Sequence, residues 1–184
     1  MRLKHGWIVL LLFLATGIQA GEHGIFIKEA NLTTRDGEAL VSADVEYNFD
    51  PAALEALENG VPLTLLIELT LQRERPYWFD ETIIEEQRRI QIRYHPLAKS
   101  YLLADQSSGA VQSFTSLSAV KDTLSRIRGW RLQDAGRLEK GQDYEARLSL
   151  RLDIESLPLP LRAVAYLSPE WHHASPVLSW RVKP

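Results

Sequence analysis

The sequence predicts an all-β domain, an antiparallel β-sandwich of immunoglobulin-like or similar type with one or two short helices. Three stretches alternate apolar and polar residues with the two-residue period of a strand: 39–49, 63–71 and 144–154. Strands that are half buried in this way belong to antiparallel sheets with one solvated face. Turn residues, such as Asp36-Gly37 and Lys140-Gly141, separate these stretches from other short strand candidates. Many short strands with frequent turns are typical of sandwiches and barrels.

The remaining elements follow from shorter patterns in the sequence. Asp50 is placed to cap a helix with Pro51 at its first position and Asn59-Gly60 at its end. Ser116 is placed to cap a second helix, whose apolar stripe runs from Leu117 to Ile127 and which we expect to end at Gly129. The segment "LPLPLR", residues 157–162, is predicted to be extended, because proline fixes φ, and to cover a sheet edge or cross between sheets. Further strands are predicted at 25–34, 83–94, 100–104, 110–114, 129–138, 162–168 and 177–182.

The first twenty residues have the layout of a secretory signal peptide. Arg2 and Lys4 precede a continuous apolar run, residues 7–14, and Ala20 supplies a small residue at the expected cleavage site. The apolar run is shorter than the roughly 20 residues that span a bilayer comfortably. We therefore expect export to the periplasm and cleavage after Ala20, which leaves residues 21–184 as a single sandwich domain. An uncleaved N-terminal membrane anchor facing the periplasm is the alternative.

Charge and composition exclude several classes of function. Residues 1–20 contain two basic residues and no acid, so their removal changes the net charge from −3 to −5. A mildly acidic domain does not attract nucleic acid or anionic lipid, so membrane contact is expected only through an uncleaved leader. The chain has no cysteine, which excludes disulfides, thiol catalysis and zinc bound by thiolates. The sequence carries no signal for an oligomeric state.

The stretch "RERPYWFDE", residues 73–81, combines arginines, aromatic residues and carboxylates, and three interpretations remain open. The first is a structural corner, in which the aromatic residues cap the core and the arginines pair with Asp80 or Glu81. The second is an exposed patch for a binding partner, since Trp, Tyr and Arg are enriched at binding hot spots. The third is a hydrolytic, carbohydrate-active site that uses Asp80 with Glu81 or Glu85.

A second basic stretch, "RRIQIRYHP", follows in the next strand. Arg89, Gln91 and Arg93 share one face of that strand, and Arg88 adds to a local basic patch. This patch is a candidate site for an anion or an acidic partner. The alternative is a solvated face whose arginines pair with Glu85 and Glu86, because exposed ion pairs are common and weak.

Cofactor and metal chemistry lacks a recognisable pattern. His172 and His173 are adjacent, and neighbouring side chains on a strand point to opposite faces, so they could share an ion only in a loop. The chain contains no HExxH, no G-x-S-x-G and no glycine-rich phosphate loop. We expect no metal and no cofactor.

Several landmarks together resemble a family of exported bacterial proteins that contain domain of unknown function 4390. They include "NGVPL" at 59–63, "RERPYWFDE" at 73–81, "IRYHPLAKSY" at 92–101, "FTSLSAV" at 114–120, "LPLPLR" at 157–162 and "SPEW" at 168–171 followed by "SW" at 179–180. The resemblance implies an exported all-β domain and no mechanism. It also implies, weakly, a membrane signalling protein as partner.

These observations favour a non-catalytic binding or interaction module of the cell envelope over an enzyme. A hydrolytic enzyme and a purely structural envelope protein are the alternatives. The residues expected to bind the partner are Arg73, Arg75, Tyr77, Trp78, Phe79, Arg89 and Arg93.

Overall fold

The computed structural model describes residues 23–75 and 79–184, which form two antiparallel sheets. The smaller sheet pairs β1 (Gly24–Arg35) with β2 (Glu38–Asn48) and β2 with β7 (Arg126–Arg131). The larger sheet contains β6 (Val111–Phe114), β5 (Ser100–Asp105), β4 (Glu81–His95), β3 (Leu63–Arg73), β8 (Tyr144–Leu152) and β9 (Leu178–Val182), in that spatial order. The predicted all-β, sandwich-like class is confirmed.

The alternating residues recognised in the sequence form one core that the two sheets share. The odd-numbered residues of 39–49 and 63–71 and the even-numbered residues of 144–152 are all buried. Strand β3 lies at the centre, since Leu65 pairs with Ile90 of β4 on one side and with Leu152 of β8 on the other. Each fully buried leucine or isoleucine contributes about 1.5–3 kcal/mol relative to exposure. The hydrophobic period therefore accounts for both the strand assignments and their stability.

Two helices begin where the sequence predicts. The Asp50 side chain accepts a hydrogen bond from the backbone N–H of Ala52 (3.0 Å) at the start of α1 (Pro51–Glu58). The Ser116 hydroxyl accepts one from the N–H of Ala119 (3.2 Å) at the start of α2 (Leu117–Leu124). The predicted end of α2 at Gly129 is wrong. The backbone leaves the helix at Ser125, and Ile127 belongs to β7.

A third helix, α3 (Leu159–Leu167), replaces the strand predicted at 162–168 and most of the extended segment predicted at 157–162. Pro160 occupies the first turn of α3, where backbone N–H groups have no acceptor within the helix, so the lack of an N–H in proline costs no hydrogen bond. The N–H of Arg162 donates to the carbonyl of Pro158 (2.9 Å). A short apolar run is compatible with either a strand or a buried helix. The alanines and leucines of this run favour the helix.

The strand predicted at 129–138 is also only partly correct. β7 starts earlier, at Arg126, and ends at Arg131, after which Ala135–Arg137 form a 3-10 helix. Gly129 has φ of +60°, and the register between β2 and β7 shifts at this point. Glycine adopts this left-handed conformation without strain. Gly129 therefore permits a β-bulge inside the strand and does not end a helix.

The sandwich has two ends with different contents. The helix end holds the start of β1, helix α1, the β4–β5 turn (residues 96–99), helix α3 and the 3-10 helix Pro169–Trp171. The hairpin end holds the β3–β4 loop (residues 74–80), the β1–β2 turn at Asp36-Gly37 and residues 139–143.

The predicted leader and its cleavage site lie outside the described residues. Among the helices of residues 23–75 and 79–184, none has the length and apolar character needed to cross a membrane.

Candidate functional site

The hairpin end carries the stretch that the sequence singled out. Arg73 is the last residue of β3 and pairs in register with Glu81, the first residue of β4, and the loop that joins them includes the described residues 74–75 and 79–80. Phe79 is 95% exposed on this loop. Tyr77 and Trp78 lie outside the described residues. The structure therefore exposes at least one aromatic side chain of the stretch.

The base of the loop is held by ion pairs. Arg73 lies 3.2 Å from Glu81 through Nη2 and 3.2 Å from Glu139 through Nη1. Arg75 also pairs with Glu81. The pairing of both arginines with a carboxylate is what the structural-corner interpretation predicts, with Glu81 as the shared partner and Glu139 added from a distant part of the chain. We refer to these four residues as the ionic brace.

The ionic brace keeps Glu81 charged. The hydrogen bond from Arg75 and the positive charges of Arg75 and Arg73 hold the pKa of Glu81 below its ordinary value, although burial opposes this. Burial also acts to lower the pKa of Arg73, but the charges of Glu139 and Glu81 outweigh it, and the net shift is upward. Each group therefore stabilises the charged form of the other.

Glu81 and Glu85 do not match the requirements of the catalytic carboxyl pair of a glycosidase. A general acid needs a raised pKa, and the pKa of Glu81 is lowered. Glu81 and Glu85 are four residues apart on β4, about 13 Å along a strand. Catalytic carboxyl pairs stand roughly 5–9.5 Å apart. The geometry does not favour proton transfer by this pair.

Arg88 does not belong to the basic patch that the sequence suggested. It pairs in register with Ile67, so its side chain lies on the inner face of β4. Its Nε and Nη2 atoms donate to Asp105 Oδ2 at 2.9 and 2.6 Å. Burial opposes ionisation of Asp105, but the bonds from Arg88 and from the N–H of Ser107 leave its pKa below the ordinary value. Arg88 has an even number, like the buried residues Ile90 and Ile92 of the same strand. This shared parity indicates in the sequence that the side chain of Arg88 faces inward.

Arg89 and Arg93 lie on the outer face of the larger sheet, as predicted. Arg89 lies 3.7 Å from Asp153 on β8's side of the sheet, and Arg93 donates to Gln91 at 3.0 Å. The expected pairing of these arginines with Glu85 and Glu86 is wrong. Glu86 instead accepts a hydrogen bond from the N–H of Gln133. Asp153 follows β8, which is separated from β4 by β3 in the sheet, so this ion pair reaches across the central strand.

The predicted partner-binding residues that the structure describes fall on two separate surfaces. Along β4, Arg89 is eight residues and Arg93 twelve residues beyond Glu81. With about 3.3 Å per residue, these distances are roughly 25 Å and 40 Å. The structure brings Arg73, Arg75 and Phe79 together at the hairpin end and places Arg89 and Arg93 elsewhere.

The two adjacent histidines take different environments. His172 is exposed, whereas His173 is buried and its Nε2 accepts a hydrogen bond from the N–H of Asp50 (3.3 Å). Its ring meets Phe49 edge to face, with 6.2 Å between ring centroids. Burial lowers the pKa of His173. Within the described part of the chain, no three His, Asp or Glu side chains are arranged to hold a metal ion.

A cavity adds a concave feature to the hairpin end. It has a volume of about 470 Å³ and lies between the β1–β2 turn and the segment that carries Glu139. Its lining mixes charged and apolar side chains, among them Arg35, Glu38, Leu138 and Lys140. The exposed Phe79, the ionic brace and this cavity are features of one end of the molecule.

The sequence pattern of one protein family, Domain of unknown function (DUF4390), matches residues 22–181. The chain belongs to the DUF4390 family. The resemblance found in its motifs is thereby confirmed. The DUF4390 match covers both the hairpin end and the helix end. No curated protein and no solved structure matches the chain.

The DUF4390 domain has one exposed surface that the sequence did not reveal. Helix α3 exposes Leu159, Val164, Tyr166 and Leu167, and only Ala165 of this helix is buried. The segment "LPLPLRAVAYL", residues 157–167, contains one charged residue, Arg162, and this low charge is the feature of the sequence that could indicate an apolar surface. The sequence predicts an extended edge or crossover segment at 157–162 and a strand at 162–168, and neither prediction indicates this exposure.

Proposed function

We propose that this DUF4390 domain is a non-catalytic interaction module of the cell envelope that binds a protein partner through the hairpin end. The observation that carries the proposal is Phe79, which is 95% exposed on a loop whose base is fixed by ion pairs. Burying a phenylalanine side chain in a partner would contribute about 1.5–3 kcal/mol. The ionic brace fixes Arg73, Arg75 and Glu81, and side chains that are ordered before binding lose less entropy on association.

The chemistry around Phe79 indicates the kind of partner. Hot spots combine an aromatic anchor with arginine and a surrounding ring that excludes water. Here Arg75 retains 47% exposure of its side chain while it pairs with Glu81. The adjacent cavity of about 470 Å³ could accept a side chain of the partner. We propose an envelope protein as the partner, with the outer part of a membrane signalling protein as the candidate that the family resemblance suggests.

Site-specific crosslinking in living cells tests this proposal. A photoreactive residue replaces Phe79 in the full chain, and a second chain carries it at Val111, which is also apolar and 63% exposed. We expect a single specific protein adduct at position 79 that is absent at position 111. No adduct at 79 from a folded, exported chain would favour a purely structural envelope protein. Equal adducts at both positions would mean nonspecific contact.

A photoreactive residue at position 93, in place of Arg93, tests the outer face of the larger sheet separately. Arg93 is exposed and roughly 40 Å from the ionic brace along β4. We expect the partner captured at 79 not to be captured at 93. If position 93 captures a partner and 79 does not, the outer face of the larger sheet is the interaction surface and the hairpin end is not.

A further inference from the structure

The exposed apolar side chains of the protein concentrate at the helix end. Among the described residues, eight large apolar side chains are exposed, and five of them lie at this end. Leu97 is 99% exposed on the β4–β5 turn, and Leu159 and Leu167 of α3 are 75% and 87% exposed. Val164 and Tyr166 complete the set. A concentration of exposed apolar side chains at one end of a domain indicates a surface that contacts a partner or a membrane.

The elements that carry these side chains are neighbours at one end of the sandwich. Helix α1 contacts β4, which leads into the turn that carries Leu97, and it also contacts the 3-10 helix Pro169–Trp171. The same 3-10 helix contacts α3. The turn, α1 and α3 therefore cover the same end of the sandwich side by side.

The chain enters the domain at this end. Gly24, at the start of β1, pairs with Asn48 at the end of β2. His23 is close enough to His173 to lower its pKa. Eight residues separate His23 from Leu14, the last residue of the apolar run in the leader. Extended chain covers at most about 3.6 Å per residue, so this spacer reaches roughly 30 Å. A leader held in a bilayer keeps the helix end near the lipid surface.

We propose that residues 1–20 are the uncleaved anchor, the alternative to a cleaved signal peptide, and that the helix end lies against the bilayer that holds them, with α3 and Leu97 in contact with the lipid. The apolar run at 7–14 is too short to span a membrane alone. Stable attachment of a weak anchor takes a second contact. Helix α3 supplies that contact, and Tyr166 suits the interface because its ring is apolar and its hydroxyl is polar. This extends the membrane contact beyond the leader.

The charges at the helix end indicate which lipid it meets. Four exposed acids lie in or beside its helices, Glu55, Glu58, Glu155 and Glu170, against Lys99 in the turn. Arg162 of α3 is turned onto the carbonyl of Leu157, to which it donates at 3.0 and 3.2 Å. The surface therefore has no electrostatic attraction for anionic headgroups. The helix end therefore contacts lipid through its apolar side chains, and we expect it to bind zwitterionic lipid.

Fluorescence quenching from the bilayer tests the proposal. The chain has no cysteine, so Leu97→Cys and Leu167→Cys each provide one labelling site. Phe79→Cys and Val111→Cys are the controls, since both positions are apolar and exposed but lie outside the helix end. The full chain is reconstituted in phosphatidylcholine vesicles that contain a nitroxide-labelled lipid. We expect several-fold stronger quenching at 97 and 167 than at 79 and 111. Equal quenching at all four positions would overturn the proposal.

A second set of variants separates the role of α3 from that of the leader. Leu159→Ser with Val164→Ser, in the Leu97→Cys chain, is expected to reduce quenching at 97 several-fold without lowering the melting temperature. Phe79→Ser with Val111→Ser is the matched control and is expected to leave quenching unchanged. Unchanged quenching after the substitutions in α3 would show that this helix does not touch lipid.

Two other occupants of the surface would contradict the proposal. Energy transfer between two copies labelled at 167, without quenching by lipid, would show that a second copy covers the face. A crosslink from 167 to residues 7–14, without quenching, would show that the leader of the same chain covers it. Complete removal of residues 1–20 in cells, measured by intact mass, would also overturn it.

The proposal is independent of the hairpin end. If Phe79 captures no partner, quenching at 97 is still expected. If 97 is not quenched, capture at 79 is still expected.

Discussion

Both ends of the sandwich expose large apolar side chains, but different interactions hold the segments that carry these side chains. At the hairpin end, Phe79 stands on a loop whose base is held by Arg73, Arg75 and Glu81. At the helix end, α3 is followed directly by a buried tryptophan, Trp171, and a buried histidine, His173. Ion pairs between arginine and glutamate keep their charges over a wide pH range. Packing that requires a neutral histidine is lost more easily in acid, because the ordinary pKa of histidine is near 6.5. The ends therefore differ in what disrupts them.

The largest effect is expected at the helix end, from Trp171→Ala. Trp171 is only 4% exposed, and removing a buried tryptophan costs about 3–5 kcal/mol of the free energy of unfolding. Denaturant unfolding measures this loss. Hydrogen exchange should show that α3 opens more than β3. Trp130→Ala on β7 is the control for a large buried side chain elsewhere, and it is expected to destabilise the domain without selective opening of α3. Equal opening of α3 in both variants would contradict the assignment.

Acid is expected to loosen the helix end before the hairpin end. Burial lowers the pKa of His173 below its ordinary value of 6.5; Asp50 opposes this, and His23 and His172 add to it. The fold therefore prefers neutral His173, and its contribution is fully present above pH 6.5 and is lost as the pH falls towards the folded pKa. Protonation also removes the acceptor for the N–H of Asp50.

Hydrogen exchange followed as a function of pH measures this loosening. We expect protection of α1 and α3 to fall below pH 6.5 while β3 and β4 remain protected. His95→Gln, at an exposed histidine that is not among the groups lowering the pKa of His173, should leave the profile unchanged. A profile in which both ends lose protection together would argue against a role for His173.

The ionic brace is expected to have a smaller dependence on pH, in the same direction as that of His173 but at a lower pH. The pKa of Glu81 is below its ordinary value of 4.5, so its stabilising contribution is present above pH 4.5 and is lost as the pH falls through the folded pKa. Glu81→Gln should lower the melting temperature at pH 7 by less than Trp171→Ala does. The difference from wild type should vanish in acid. Glu85→Gln, an exposed carboxylate on the same strand, is the control and should have no effect at either pH.

The smallest effect on stability is expected from the exposed side chains themselves. Phe79→Ala and Leu97→Ala should each change the free energy of unfolding by less than about 0.5 kcal/mol, because surface substitutions rarely exceed this. Their effects on binding should differ. Phe79→Ala is expected to lose partner capture and to keep membrane contact. Leu97→Ala is expected to weaken membrane contact and to keep partner capture. If one substitution weakened both, the two ends would not be separate surfaces.

Strand positions could be predicted because the core imposes a two-residue period on the sequence. Tyr144 to Leu152 show that period without interruption, and Leu63 to Leu71 show it with one exception at Leu66; all of their inward residues are buried. Helix α3 could not be predicted, because "AVAYL" lacks the polar positions that distinguish a helical period from a short buried strand.

The candidate site could be predicted only in part. "RERPYWFDE" marked the hairpin end, and the parity of Arg73 with Leu71 indicated where β3 leaves the core. The partners were harder to predict, because Glu139 and Asp153 reach Arg73 and Arg89 from distant segments. Pairing between strands depends on register, and the sequence of a single strand does not contain it.

The orientation of the domain on a bilayer tests the account most directly. Strand β4 has 15 residues and connects the two ends, so they are separated by roughly 50 Å. Energy transfer from a donor at position 97 or 79 to acceptor lipids measures the height of each end in the full chain. We predict efficient transfer from 97 and little from 79, which would place the helix end at the lipid and the hairpin end free to meet a partner. Equal transfer from both positions would mean that the domain lies flat or binds no membrane, and it would contradict the account.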